Sequence, residues 1–292
     1  MKVVKQALPS VDGKGLMMGR PAYTDDLADP SSLIVKVLRS PYAHAKIVNI
    51  DTSKAEALEG VELVLTYKDF DRRPHTRAGQ GFPEPSPYDK FILDQWVRYI
   101  GDEAACVAAV DSKTADAALA LIEIEWEVLE AILDFEKALD NPVLIHPETE
   151  IFENFPIGFD PKRNLAAGYS MEVGNVEETL KECDVILEET FYTHAQAHAA
   201  MEPHTVNARM DYQNRLLIYT STQTPFHVRR IISQALDFPL SRIRVIKPRV
   251  GGGFGGKQHI HGELLVSTVT LKTGKPAKMI YTRKEVFESS FS

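Results

Sequence analysis

Apolar positions over 1–140 switch between a two-residue period and a longer one, as expected where strands alternate with helices. Residues 33–38 read as a strand, 53–58 as a short helix and 61–67 as a second strand. The apolar run 104–110 predicts a buried strand. It is followed by a helix over 114–120, with Asp111, Ser112 or Thr114 as its cap, and by an alternating strand over 121–127. Residues 72–87 hold four prolines and predict irregular surface backbone. Further on, 185–192, 205–210 and 216–220 have strand patterns. A helix then starts with Thr224 as N-cap and Pro225 in first position, and it carries an apolar stripe of Val228, Ile231, Ile232, Ala235 and Leu236 until Pro239 ends it. A strand-like run from 242, a helix-like stretch over 259–270 and a strand over 277–282 complete the pattern. Pro142, Pro147, Pro156 and Pro161 make 141–164 a linker, which divides the chain into 1–140, the linker, and 165–292. The class is mixed α/β.

Composition narrows the function. The chain has 292 residues, 44% hydrophobic and 25% charged, which is enough for a sizeable core. A net charge of −8 argues against nucleic acid as a partner, because phosphate binding is driven by clustered Lys and Arg, and it leaves Arg229 and Arg230 as a solvated helix face. No run is long and apolar enough to span a bilayer and residues 1–10 hold no signal core, so a cytoplasmic location is expected. Cys106 and Cys183 are the only cysteines, so no iron–sulfur or zinc framework can be built and any redox chain must lie in partners. Cys106, inside an apolar run, reads as a small buried hydrophobe.

The densest chemical signal is Gly251-Gly-Gly-Phe-Gly-Gly-Lys257, five glycines around one aromatic after a strand. Such a loop lets backbone N–H groups approach a ligand and form an anion-receiving concavity. Gln258 after Lys257 is unlike the Ser or Thr of a P-loop. Gly251, Gly253 and Gly256 do satisfy the dinucleotide fingerprint, with Glu285 as its acid, but Pro248 interrupts the strand and the acid lies too far downstream. A ligand-free glycine turn is the remaining alternative. His194, His198, Glu202 and His204 would suit a zinc or iron site if one helix carried them, which Pro203 opposes; otherwise they shape a cleft or pair with backbone. His259 and His261 read as ordinary helix-start residues. Gln223, between a strand and a capped helix, stands where α/β folds meet ligands, although a plain capping turn would look the same. No nucleophile elbow or Ser-His-Asp order supports a hydrolase.

Several ordered segments together resemble the molybdenum-binding subunit of the xanthine dehydrogenase/aldehyde oxidase family of molybdenum hydroxylases. They are Val11-Asp-Gly-Lys-Gly15, Ala22-Tyr-Thr-Asp-Asp26, Arg39-Ser-Pro-Tyr-Ala-His-Ala45, Val97-Arg-Tyr-Ile-Gly-Asp-Glu103 and Glu125-Trp-Glu-Val-Leu129. In the second half they are Thr193-His-Ala-Gln-Ala-His-Ala-Ala-Met-Glu-Pro-His204, Ser221-Thr-Gln-Thr-Pro225, the glycine loop, and Tyr281-Thr-Arg-Lys-Glu-Val-Phe287. The resemblance implies a hammerhead-like α/β domain over 1–140 and the first part of a molybdopterin-binding α/β domain over 165–292. It implies a molybdenum–molybdopterin cofactor held without direct metal ligation by this chain. Gln223 would lie near an oxo ligand of molybdenum, Gly252, Gly253, Phe254 and Gly255 would face the cofactor, and Phe254 and Gln258 would face substrate. Gln258 stands where the xanthine-oxidising eukaryotic members carry Glu, which puts purine orientation by a carboxylate in doubt while leaving an amide able to bond a heterocycle.

The implied activity is water-derived hydroxylation of a purine or related N-heterocycle. Electrons would pass to iron–sulfur and FAD groups on partner subunits, and the remainder of the molybdopterin-binding subunit would be a further partner. The family's base glutamate lies near the far end of a longer subunit, so no residue of this chain is assigned a catalytic role and the lone chain is expected to be an incomplete catalyst. An aldehyde-oxidising member, a non-catalytic remnant or assembly module, and a nicotinamide-binding dehydrogenase resting on the glycine pattern alone are the alternatives.

Overall fold

In the computed structural model, residues 4–77 and 81–290 are described. Among them the strands are β1 (Leu33–Arg39), β2 (Ala45–Asp51), β3 (Val61–Leu65), β4 (Pro87–Tyr88), β5 (Trp96–Val97), β6 (Glu103–Ala109), β7 (Glu123–Val128), β8 (Phe152–Glu153), β9 (Thr205–Met210), β10 (Leu216–Thr220), β11 (Ile243–Ile246) and β12 (Ala277–Ile280). The helices are α1 (Gly13–Met17), α2 (Ser53–Glu56), α3 (Ser112–Leu119), α4 (Val176–Lys181), α5 (Pro225–Leu236), α6 (Glu263–Thr273) and α7 (Arg283–Ser289).

Seven strands form one sheet in the order β11-β10-β9-β12-β1-β6-β3. The parallel pairing of β1 with β12, Leu33 opposite Ala277, carries this sheet across the proline-bearing 141–164 stretch and joins the two halves by backbone hydrogen bonds. A second sheet, β5-β2-β7, lies on the first half alone.

The strand β6 shows why its sequence is so rich in small residues. All seven of its residues are buried, and successive side chains point to opposite faces. Cys106 and Ala108 join the core under α5 and α6, while Ala105, Val107 and Ala109 join a second core under α2, α3 and β2. A strand covered closely on both faces has room for alanine and valine but not for larger chains. The predicted Asp111 cap is present, with its carboxylate accepting the Thr114 N–H.

Helix α6 is buried from Glu263 through Thr270. Two of its buried hydroxyls are satisfied, Thr268 donating to the Leu264 carbonyl of its own helix at 2.8 Å and Thr270 to that of Ala208 at 3.3 Å, whereas the Ser267 hydroxyl has no hydrogen bond among the described residues. Against it lies α5, whose Val228, Ile231 and Ile232 are wholly buried and contribute about 2 kcal/mol each by leaving water.

Three expectations need correction. Residues 185–192 form no strand: Val185, Leu187, Phe191 and Tyr192 are exposed, because β propensity without a ladder partner among the described residues does not fix a strand. His259 and His261 do not open a helix, because Glu263 accepts the His261 N–H at 2.7 Å and the helix begins only there. Arg229 and Arg230 are not a solvated face. Arg229 binds the carbonyls of Ile243 and Leu240, and Arg230 binds Glu84 and the Gly81 carbonyl.

Candidate cofactor site

Parallel pairing of β10 with β11 brings two carboxyl-terminal strand ends side by side. Ser221-Thr222-Gln223 leaves one end and the glycine loop follows the other, so the topology itself makes them neighbours. The contact is close. Gln223 N–H donates to the Lys257 carbonyl at 2.7 Å, and the Thr224 hydroxyl donates to that of Gln258 at 2.9 Å. Thr224 therefore stands at the N-cap position but spends its side chain on the loop rather than on capping α5.

Gln223 Oε1 accepts the N–H groups of Gly255 (3.1 Å) and Lys257 (3.3 Å). Both partners are donors, which assigns the oxygen to the loop and leaves Nε2 as a donor with no hydrogen bond among the described residues. The fit depends on glycine. A Cβ on Gly253 would lie 2.5 Å from Gln223 Oε1, and one on Gly251 would lie 2.6 Å from Glu202 Cβ.

The N–H groups of Gly252, Gly253 and Phe254 make no hydrogen bond among the described residues. Three successive free donors form the kind of concavity that receives an anion. Phe254 has φ 53°, a left-handed conformation costing a non-glycine residue about 1 kcal/mol, and its ring is 76% exposed. Gln258 is half-buried and donates its N–H to the Gly255 carbonyl at 3.1 Å.

The dinucleotide reading fails on topology and on its acid. Strands β11 and β12 are not neighbours, α6 begins only at Glu263, well past Gly256, and Glu285 is committed to the Thr282 capping box and to Arg39. The histidine cluster is dispersed. His194 is exposed, His198 lies against Gly256, and the buried His204 ring sits 3.9 Å from that of His261. Burial, then the charge of Lys257, pulls His204 down to about 3, and burial with His204 beside it holds His261 well below the ordinary range. Both rings are neutral at pH 7. No group of three His, Cys, Asp or Glu among the described residues could hold a metal ion.

Sequence reasoning did not anticipate how the loop is anchored. The Glu202 carboxylate accepts the Gly251 N–H at 2.7 Å and pairs with the Lys257 ammonium at 2.8 Å. Arg283 on α7 donates to the carbonyls of Ala200 and Met201. Burial draws Lys257 below the usual lysine range, with Glu202 acting in the opposite direction. The only signal was composition: Glu202 stood in the histidine group and Lys257 closed the loop, far apart in sequence.

Residues 159–292 match the molybdopterin cofactor-binding domain, and residues 18–130 match the a/b hammerhead domain of aldehyde oxidase and xanthine dehydrogenase. The chain belongs to the molybdenum hydroxylase family. It is 35% identical, over its whole length, to a protein of Escherichia coli O157:H7 described as a probable hypoxanthine oxidase, of which it covers 33%. The nicotinate dehydrogenase large molybdopterin subunit of Eubacterium barkeri is 34% identical over 94% of the chain, which covers 60% of that relative. Among solved structures, quinoline 2-oxidoreductase from Pseudomonas putida 86 aligns over 97% of this chain and 35% of its own at 27% identity, with a TM-score of 0.78. The chain thus spans about a third of the length of two of these proteins and 60% of the third.

The residues present fit the family's cofactor. Molybdopterin carries a phosphate, and three free amides on a glycine loop suit an anion; the Gln223 Nε2 donor suits an oxygen ligand on the metal. No helix is long and apolar enough to cross a membrane among the described residues.

Proposed function

We propose that this chain provides one wall of the molybdopterin site in a molybdenum hydroxylase acting on a purine or related N-heterocycle. The observation that carries the proposal is the joint presentation of the free amides of Gly252, Gly253 and Phe254 with the free Nε2 of Gln223. When bound, the cofactor supplies two-electron oxidation with oxygen transfer from water. The chain's own part is to bind and orient. The loop amides hold the anionic group, the Gln223 amide donates toward a metal-bound ligand, and Phe254 and Gln258 present an aromatic face and an amide edge to a heterocycle. Identity to proteins named for hypoxanthine and nicotinate supports this substrate class. Partner polypeptides would supply the iron–sulfur and FAD groups and the remaining cofactor wall.

The test is co-expression with the products of neighbouring genes, followed by measurement of molybdenum and pterin content and of hydroxylation of hypoxanthine, nicotinate and an aldehyde. Cofactor content near one per complex and turnover of a heterocycle are expected. Turnover of the aldehyde alone would overturn the substrate class, and a complex without molybdenum would support a non-catalytic assembly module.

A further inference from the structure

The loop 251–257 is closed at both ends by one carboxylate. Glu202 Oε2 accepts the Gly251 N–H at 2.7 Å at the entry and the Lys257 Nζ at 2.8 Å at the exit. The Glu202 backbone adds a third tie, its N–H donating to the Gly251 carbonyl at 3.1 Å. The pair is shielded from water, with side chains 13% and 2% exposed. Glu202 Oε1 makes no hydrogen bond among the described residues, so Lys257 is the partner that balances this carboxylate.

Between the two tied ends stand the residues whose amides are free, Gly252, Gly253 and Phe254. A run of glycines has the largest conformational freedom of any sequence, so it keeps three N–H groups converged only if its ends are fixed. Gln223 fixes the middle and exit through Gly255 and Lys257, but nothing on that side reaches the entry. Glu202 is itself held from behind, where Arg283 donates to the carbonyls of Ala200 (2.7 Å) and Met201 (3.1 Å).

We propose that Glu202 and Lys257 are positioning residues, a charged latch that holds the ligand-facing amides of the glycine loop in place before any ligand arrives. This rests on the reading of the loop as the molybdopterin wall. The latch acts through the loop backbone and does not itself touch the ligand.

Hydrogen exchange read by mass spectrometry on the full chain purified free of molybdopterin tests the latch separately from cofactor binding. In Glu202→Gln and Lys257→Met, exchange across 249–258 should rise at least tenfold while 205–220 in the sheet exchanges as before. Lys257→Arg, which keeps the charge, should restore protection. The paired Glu202→Gln/Lys257→Met variant leaves no stranded charge and should match the singles rather than exceed them. Unchanged loop exchange in the singles would overturn the proposal. So would faster exchange in loop and sheet alike, or failure of both singles and pair to fold, since either would make the pair a determinant of the fold rather than of the loop. Loss of protection in the variants alongside a wild-type complex that never takes up molybdenum would keep the latch and refute the cofactor reading.

Discussion

Replacing Gly253 with alanine should uncouple Gln223 from the loop. The added Cβ would sit 2.5 Å from Gln223 Oε1, 2.8 Å from its Cδ and 3.1 Å from its Cγ, so the amide must move. Moving it breaks the bonds to the Gly255 and Lys257 N–H groups. Each is worth about 1 kcal/mol net, so the loss is ~2 kcal/mol, or roughly 4–8 °C in melting temperature for a chain of this size. Urea unfolding followed by circular dichroism would measure it. The control is Gly168→Ala, where the nearest atom to the new Cβ is Leu165 Cδ2 at 3.9 Å and a change within ~0.5 kcal/mol is expected. Gln223→Ala removes the same two bonds from the other side and should also cost ~2 kcal/mol. In the double variant the Cβ meets no amide, so its cost should stay near ~2 rather than reach ~4 kcal/mol, a coupling of about 2 kcal/mol. Additive single effects, or a Gly253→Ala cost below ~0.5 kcal/mol, would refute the reasoning.

Ile218→Ala, at a position with no exposed surface in the core beneath α5 and α6, should cost about 3–4 kcal/mol in the same unfolding assay, and a loss under ~1 kcal/mol would mean that the core is not close-packed there. Lowering the pH should destabilise the fold through His204. Its folded value of about 3 lies below the ordinary 6.5, so the unfolded chain binds the extra proton, and the contribution is complete above pH 6.5 and lost as pH falls towards 3. By pH 5 the loss is on the order of 2 kcal/mol, and His204→Gln should flatten that part of the stability–pH curve; an unchanged curve would count against the buried neutral ring. A thiol reagent should label one cysteine in the native chain and two in denaturant, because Cys183 is exposed while burial pushes the Cys106 thiol up and shields it; native labelling of both would contradict the buried β6.

What the sequence disclosed depended on how far apart the cooperating residues lie. Strand β10 occupies the predicted 216–220, since Leu-Leu-Ile-Tyr-Thr is bounded by turn-forming and polar residues that fix its ends locally. Strand β6 was equally plain because burial on both faces leaves a continuous apolar run. Strand β2 gave little signal: its Lys46, Asn49 and Asp51 dilute the pattern, and it is held largely by β7. The 185–192 pattern misled for the opposite reason, having strand composition without a partner. At the site, the glycine loop and Gln223 could be singled out as local patterns. The Glu202 anchor could not, because it lies far from Lys257 along the chain and its surroundings suggested metal binding. The sharing of one sheet by both halves depends on β1 and β12, whose sequences carry no mark of each other.

That pairing sets an order for synthesis. Leu33 lies beside Ala277, 277 − 33 = 244 residues further along, so a growing polypeptide can pair β1 with β6 early but must leave the other edge of β1 bare until β12 has emerged. At about 5–20 residues per second this interval is roughly 10–50 s. Throughout it, Leu33 and Ile34 offer unpaired backbone groups to any passing strand, a hazard that native edges are usually built to avoid. The first half of this protein is therefore a unit that waits, and conditions that slow translation or delay the arrival of β12 should raise aggregation more than they would for two domains that each close their own sheet.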